Sequence, residues 1–98
     1  MELKKELVGE SLNIALEGRL DTSTSPMLEA ELKGSLSGIT KLNFDFEKLE
    51  YISSAGLRVL LFAQKTMTAQ GEMTLTNVSP EVKEIFDITG FSDFLTIL

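Results

Sequence analysis

The chain contains no cysteine and no histidine. Without thiols there are no disulfides and no thiolate chemistry, and cysteine usage says nothing about compartment. Without imidazole, the commonest general base and the commonest transition-metal ligand are both missing. No apolar run approaches the roughly 18 residues needed to span a bilayer. The start, Met1-Glu2-Leu3-Lys4-Lys5-Glu6, lacks the apolar core of a signal peptide. The chain is therefore read as cytoplasmic, with no insertion into membranes. Basic charge is also short: nine Lys and Arg against fifteen Asp and Glu leave a net charge of −6. That gives no broad electrostatic footprint for nucleic acid, so any effect on transcription has to pass through another protein. Neither Gly-x-x-x-x-Gly-Lys nor Gly-x-Gly-x-x-Gly occurs for nucleotide phosphates. No metal or cofactor is expected.

What remains is ordinary for a soluble domain: 98 residues, 43% of them hydrophobic and 24% charged. That is enough for one domain, residues 1–98, around a single core. Leu3 to Val8 and Leu12 to Glu17 read as two strands about a Gly9-Glu10-Ser11 turn. Leu12, Ile14 and Leu16 alternate with Asn13, Ala15 and Glu17, which puts the apolar set on one sheet face. Gly18-Arg19-Leu20-Asp21 then leaves the strand. The two prolines, Pro26 and Pro80, both follow serines, as proline does in a first helical turn where its missing N–H is not needed. The first helix is capped at Ser23 or Ser25 and runs to about Ser37, with Leu28, Leu32 and Leu36 as its buried stripe and Gly38 as its stop.

Lys41 to Phe46 alternates again, and Glu47-Lys48-Leu49-Glu50 reads as a connector. A helix from about Ser54 to Ala69 carries Leu57, Leu60, Leu61 and Met67 near one face, widened by Val59, Phe62 and Ala63; Gly71 closes it. Met73 to Asn77 is a short strand. Ser79 and Pro80 open a further helix with Val82, Ile85 and Phe86 inward, stopped by Gly90. Phe94 to Leu98 is either a last strand or a frayed end. Strands alternating with helices after an antiparallel hairpin predict an α/β domain with a mixed sheet.

The stretch that breaks local rules is Tyr51-Ile52-Ser53-Ser54-Ala55-Gly56-Leu57. The first N–H groups of a helix lack intrahelical partners, and Ser oxygens accept from them. The same N–H groups and the positive end of the helix dipole favour a phosphate. Gly56 inside the first turn costs about 1 kcal/mol of helix propensity relative to Ala, so another requirement must hold it there. Either it packs closely or it lets a partner approach. Ser53 and Ser54 read equally as plain caps.

This stretch, after a Leu-rich strand and before an apolar helix, resembles the signature of STAS domains, and more narrowly the small bacterial anti-sigma factor antagonists. Leu16-Glu17-Gly18-Arg19-Leu20-Asp21, Gly71-Glu72-Met73-Thr74-Leu75 and Asn77-Val78-Ser79-Pro80-Glu81-Val82 extend the resemblance over nearly the whole chain. It implies a STAS-like single domain: a mixed four- to five-stranded sheet with three to four helices packed largely on one side. It implies that the serine aligned with Ser54 is phosphorylated by the partner, an anti-sigma factor that is also a GHKL-type serine kinase, and that a PP2C-type phosphatase reverses the step. Ser53 falls where many members carry an acidic residue, and is a second, weaker acceptor. Asp21 falls on an acidic residue near that serine that serves the partner or the kinase reaction, and Thr22 and Ser23 belong to the same surface. The partner-binding set is thus Asp21, Thr22, Ser23, Ser53, Ser54, Gly56 and Arg58. Arg58, four residues beyond Ser54, either pairs with the phosphate or stays solvated.

An enzyme is the rival class. Ser54 as a nucleophile has no His and no obvious activating Lys, so catalysis is not expected and no residue is assigned a catalytic role. The other reading is a STAS scaffold or regulatory subunit outside a sigma pathway: stressosome-like, a lipid-transport partner or a regulator of another kinase. A monomer or weak dimer is expected.

Overall fold

A computed structural model describes all residues 1–98. In chain order it contains β1 (Glu2–Val8), β2 (Ser11–Leu20), α1 (Ser25–Ser35), β3 (Lys41–Ile52), α2 (Ser54–Gln70), β4 (Glu72–Thr76) and α3 (Pro80–Thr89), then a 3-10 turn at Phe91–Asp93. The strands form one sheet in the order β1-β2-β3-β4. β1 and β2 are antiparallel, and β2–β3 and β3–β4 are parallel. Two crossovers stepping the same way across a parallel sheet place α1 and α2 on the same face. Burial follows: Leu12, Ile14, Leu16, Leu42, Phe44, Phe46, Met73 and Leu75 are all buried under the helices. The opposite face stays open and polar. There the Asn43 Nδ2 group donates to Asn13 Oδ1 (2.7 Å) and Thr76 Oγ1 (3.1 Å), and the Thr74 hydroxyl donates to Asn43 Oδ1 (2.8 Å).

The expected mixed sheet with helices on one side is therefore present, with four strands and three α-helices. Two strands are longer than the alternation alone predicts. β2 does not end at Glu17 but runs on to Leu20, and the expected connector Glu47–Glu50 is strand, part of a β3 that reaches Ile52. For β3 the reason is two register shifts, opposite Ala15–Glu17 and Gly18–Arg19, each of which adds a residue to β3; β2 itself keeps one phase, with Leu12, Ile14, Leu16 and Leu20 all buried. A bulge inserts a residue and resets which side chains point inward. In β3 the buried positions run Leu42, Phe44, Phe46 and then Leu49 and Ile52, so the period of two fails although the strand continues. Gly18, at φ 101°, takes a backbone conformation that residues with a side chain rarely adopt.

The hairpin turn is also tighter than predicted, since Ser11 already pairs with Val8. The cap of α1 is Thr24, between the two serines expected there, and the helix ends at Ser35 rather than Ser37. Ser25 is instead a buried first-turn residue whose hydroxyl donates to the Asp21 carbonyl at 2.5 Å. α2 ends at Gly71 as predicted, but for a different reason. Its φ of 176° is extended backbone rather than left-handed. A Cβ there would lie 1.9 Å from the Thr40 carbonyl oxygen, so it is close approach of two backbones that requires glycine. Gln70 reinforces that contact by donating from Nε2 to the Leu36 (2.5 Å) and Ile39 (2.7 Å) carbonyls. α3 behaves as expected: Ser79 accepts from Val82 N–H at 3.2 Å, and Gly90, at φ 82°, ends the helix in the left-handed conformation.

Phe44, Phe46 and Phe86 form the aromatic centre of the core, with ring centroids 5.8 and 6.4 Å apart. Met67 and Met73 are buried in the core, and Tyr51 is half-buried. The last residues make no strand. A single parallel bridge joins Leu75 to Ile97, with Leu75 N–H bonded to the Thr96 carbonyl (2.9 Å) and Leu98 N–H to the Leu75 carbonyl (2.9 Å).

Candidate partner-docking site

The site lies where β2 and β3 end side by side. Leu20 pairs with Ile52 in register, and Ser53 N–H donates to the Leu20 carbonyl at 2.9 Å. The Asp21 segment and the start of α2 thus leave neighbouring strand ends. Both bulges lie just upstream, in the segment that sets where those ends fall.

At the α2 entrance the two serines divide the work. Ser53 is the cap, with extended backbone (φ −95°, ψ 176°); its hydroxyl accepts from Gly56 N–H at a long 3.5 Å, and its carbonyl takes the Leu57 N–H at 2.9 Å. Ser54 is the first helical residue and its side chain is exposed. The hydroxyl therefore sits at the positive end of a 17-residue helix, in solvent and outside the capping bond. Gly56 is buried. A Cβ at that position would meet Ile52 Cγ1 at 2.8 Å, Leu20 Cγ at 2.8 Å and Leu20 Cδ2 at 3.0 Å. Close packing of α2 on the two strand ends accounts for a glycine that helix propensity disfavours. Arg58 is exposed one turn further along and joins none of the ion pairs in the molecule.

Asp21 organises the adjoining loop. Its Oδ1 accepts from the Ser23 hydroxyl (2.8 Å), Ser23 N–H (3.0 Å) and Thr24 N–H (3.1 Å). The Ser23 hydroxyl, followed by the backbone donors, outweighs partial desolvation and holds the carboxyl below the ordinary aspartate range. Oδ2 has only Arg19 Nε, at 3.9 Å. One carboxylate oxygen is thus consumed by the loop and the other accepts no hydrogen bond. Thr22 and Ser23 are exposed beside it.

Three residues absent from the expected set, Thr24 in this loop and Arg19 and Tyr51 on the strands that lead to it, complete the site. The Thr24 hydroxyl accepts from Asp21 N–H (2.8 Å) and donates to the Arg19 carbonyl (2.8 Å), closing the turn. Asp followed three residues later by Thr is the pattern of such side-chain turns and was available as a signal. Arg19 lies over the Tyr51 ring, 4.3 Å from its centroid, across the paired ends of β2 and β3. Nothing in strand periodicity foretells that contact, because it depends on the second bulge. No group of three or more Asp or Glu side chains is arranged to hold a metal ion, and no helix is long and apolar enough to cross a membrane.

A family model for the STAS domain matches residues 3–98. The chain belongs to the STAS domain family. Among its relatives, BtrV of Bordetella bronchiseptica, classed with the anti-sigma factor antagonists, is 39% identical over 93 residues, covering 93% of this chain and 80% of BtrV. The anti-sigma-B factor antagonist of Listeria monocytogenes is 31% identical over 96 residues, covering 95% of this chain and 83% of the relative. Among solved structures the fold matches the anti-sigma factor antagonist SpoIIAA in its unphosphorylated form, with a TM-score of 0.79 over 99% of this chain and 87% of that one. It also matches the phosphorylated form of the Bacillus protein, with a TM-score of 0.78 over 99% and 91%. Both are 23% identical to this chain, so they speak to the fold.

Proposed function

We propose that this chain is an anti-sigma factor antagonist that acts by binding rather than by turnover. Unphosphorylated, it docks on an anti-sigma factor through the surface of Asp21, Thr22, Ser23, Ser53, Ser54 and Arg58 and so frees a sigma factor. The anti-sigma factor, a GHKL-type serine kinase, transfers the γ-phosphoryl of ATP to Ser54 and the complex dissociates. A PP2C-type phosphatase resets the cycle. The names of the relatives support the antagonist role. The observation that carries the choice of residue is the exposed Ser54 hydroxyl at the head of α2, beside a neighbour that already supplies the cap.

Phosphorylation adds roughly −1.5 to −2 charges at pH 7. At a helix N-terminus that charge is compatible with the fold, so the scaffold survives while the docking surface changes sign. A partner seated there would meet a desolvated, unmatched dianion. Gly56 serves the site from beneath, by letting α2 lie close to β2 and β3. The test is phosphosite mapping with the kinase that co-purifies from the native cell. Ser54→Ala is expected to fold and bind that partner yet take no phosphoryl group, while Ser53→Ala is still modified. Unchanged phosphorylation of Ser54→Ala would reject the assignment.

A further inference from the structure

The two edges of the sheet are treated differently. The β4 edge is met by the C-terminal tail through the Leu75–Ile97 bridge. The outer edge of β1 carries no strand. An open edge presents unpaired N–H and C=O groups along its length, ready to pair with another strand. On this edge Leu7 and Val8 are 61% and 67% exposed, although Leu7 lies on the helix-covered side of the sheet. We propose that β1 pairs with β1 of a second copy of this chain, antiparallel about a two-fold axis, to give a continuous eight-stranded sheet.

The residue pattern selects both the partner and the register. Side chains directly opposite one another in an antiparallel pair point to the same face, so odd residues must meet odd and even must meet even. Centring the axis on Lys4 sets Lys4 against itself and Glu2 against Glu6. Centring it on Glu6 sets two carboxylates together and Lys5 against Leu7. Centring it on Lys5 engages all seven residues of β1. It then places Lys4 opposite Glu6, twice by symmetry, on the open face. It places Leu3 opposite Leu7, also twice, on the helix face, covering the exposed leucine. The one like-charged meeting in this register is Lys5 with itself. Each Lys5 already carries a carboxylate from its own chain, Glu31, and donates to Ser35 Oγ at 3.2 Å. The centre of the interface is therefore a row of Glu31, Lys5, Lys5 and Glu31, in which each of the two adjacent lysines is backed by a carboxylate of its own chain. Lys4 and Glu6 face only Ala15 and Asn13 within their own sheet, so neither charge has a cross-strand partner until the second copy supplies one.

The charge pattern can be inverted without touching the core, which makes the proposal testable. Sedimentation velocity on the wild-type chain from about 10 µM to about 1 mM is expected to show a monomer–dimer equilibrium with Kd below about 1 mM. Lys4→Glu or Glu6→Lys alone sets like charges opposite each other at both symmetric positions and is expected to weaken the dimer by about tenfold or more. The double variant Lys4→Glu/Glu6→Lys restores opposite charges and is expected to recover the wild-type Kd. Unchanged thermal melts would confirm that the single variants remain folded. Amide hydrogen exchange in β1 should slow as concentration rises. A chain that stays monomeric at about 1 mM overturns the proposal, and the edge would then be open to a different protein. A dimer that ignores the single charge changes, or that the double change fails to restore, overturns it equally.

Discussion

Gly56→Ala puts two physical effects in direct competition, and the structure says which should win. In an exposed helix interior the change stabilises by about 1 kcal/mol, because alanine has the higher helix propensity and restricts the unfolded chain. Here the added methyl would sit 2.8 Å from Ile52 Cγ1, 2.8 Å from Leu20 Cγ and 3.0 Å from Leu20 Cδ2. Neither neighbour is free to swing away, since Leu20 is 0% and Ile52 1% exposed. Overpacking of that kind costs typically about 1–3 kcal/mol. Subtracting the propensity gain leaves a net loss of up to about 2 kcal/mol, and the two contacts at 2.8 Å put it toward the upper end; for a domain of this size each kcal/mol moves Tm by roughly 4–8 °C. Thermal and urea unfolding of the variant should therefore show a clear drop. Affinity for the anti-sigma partner should fall as well, because relief of the clash lifts the head of α2 away from the strand ends and shifts Ser54 relative to Asp21. If Gly56→Ala melts at or above the wild-type temperature, close packing is not what fixes this glycine, and the account of how α2 is seated is wrong.

Gly71→Ala should be worse than Gly56→Ala in the same melts, by on the order of 2 kcal/mol further, because its Cβ would fall 1.9 Å from a backbone oxygen of Thr40 rather than on side chains that can shift slightly. A milder effect would mean that the α2–β4 turn relaxes cheaply. Ser23→Ala should raise the Asp21 carboxyl towards the ordinary aspartate value in an NMR titration, since the Ser23 hydroxyl is the main cause of the lowered value. The sign for stability follows from that depression. With the folded value below the unfolded one, the ionised Asp21 loop contributes fully above the unfolded aspartate value, and the contribution is lost as pH falls through it towards the folded one. The stability difference between wild type and Ser23→Ala should accordingly be present at neutral pH and shrink in strong acid. A difference that grew on acidification would contradict the hydrogen-bond assignment.

The parts of this fold that were legible in the sequence are those where one local rule acts alone. Alternation in Leu12 to Leu16 and Leu42 to Phe46 gave both central strands their inward faces, and Ser79-Pro80 marked the start of α3 without ambiguity. The errors cluster where a bulge intervenes. Alternation stops at a shift of phase, which makes Glu47–Glu50 look like a connector, whereas β2 keeps its phase to Leu20 and it is Gly18 that makes it look finished at Glu17. Yet those same residues extend both strands by one more stretch of pairing, up to Leu20 opposite Ile52. The cap of α1 was missed for a related reason. Four hydroxyls in a row, Thr22 to Ser25, look interchangeable in sequence, and only the Asp21 hub and the Arg19 carbonyl single out Thr24.

The bulges thus place the site rather than interrupt the sheet. They carry β2 and β3 forward together until Asp21 and Ser53 emerge from neighbouring strand ends, joined by the bond from Ser53 N–H to the Leu20 carbonyl. Glycine at position 56 then lets α2 start hard against that junction. Assigning the cap to Ser53 leaves Ser54 outside the hydrogen bonds that hold the helix end, so in the proposed switch a phosphoryl group added there need break none of them. What changes is the field above the junction, where Asp21 Oδ2 accepts no hydrogen bond. Two negative groups borne by segments that leave neighbouring strand ends would act on whatever is docked there far more than on the core of buried aliphatics and three phenylalanines beneath.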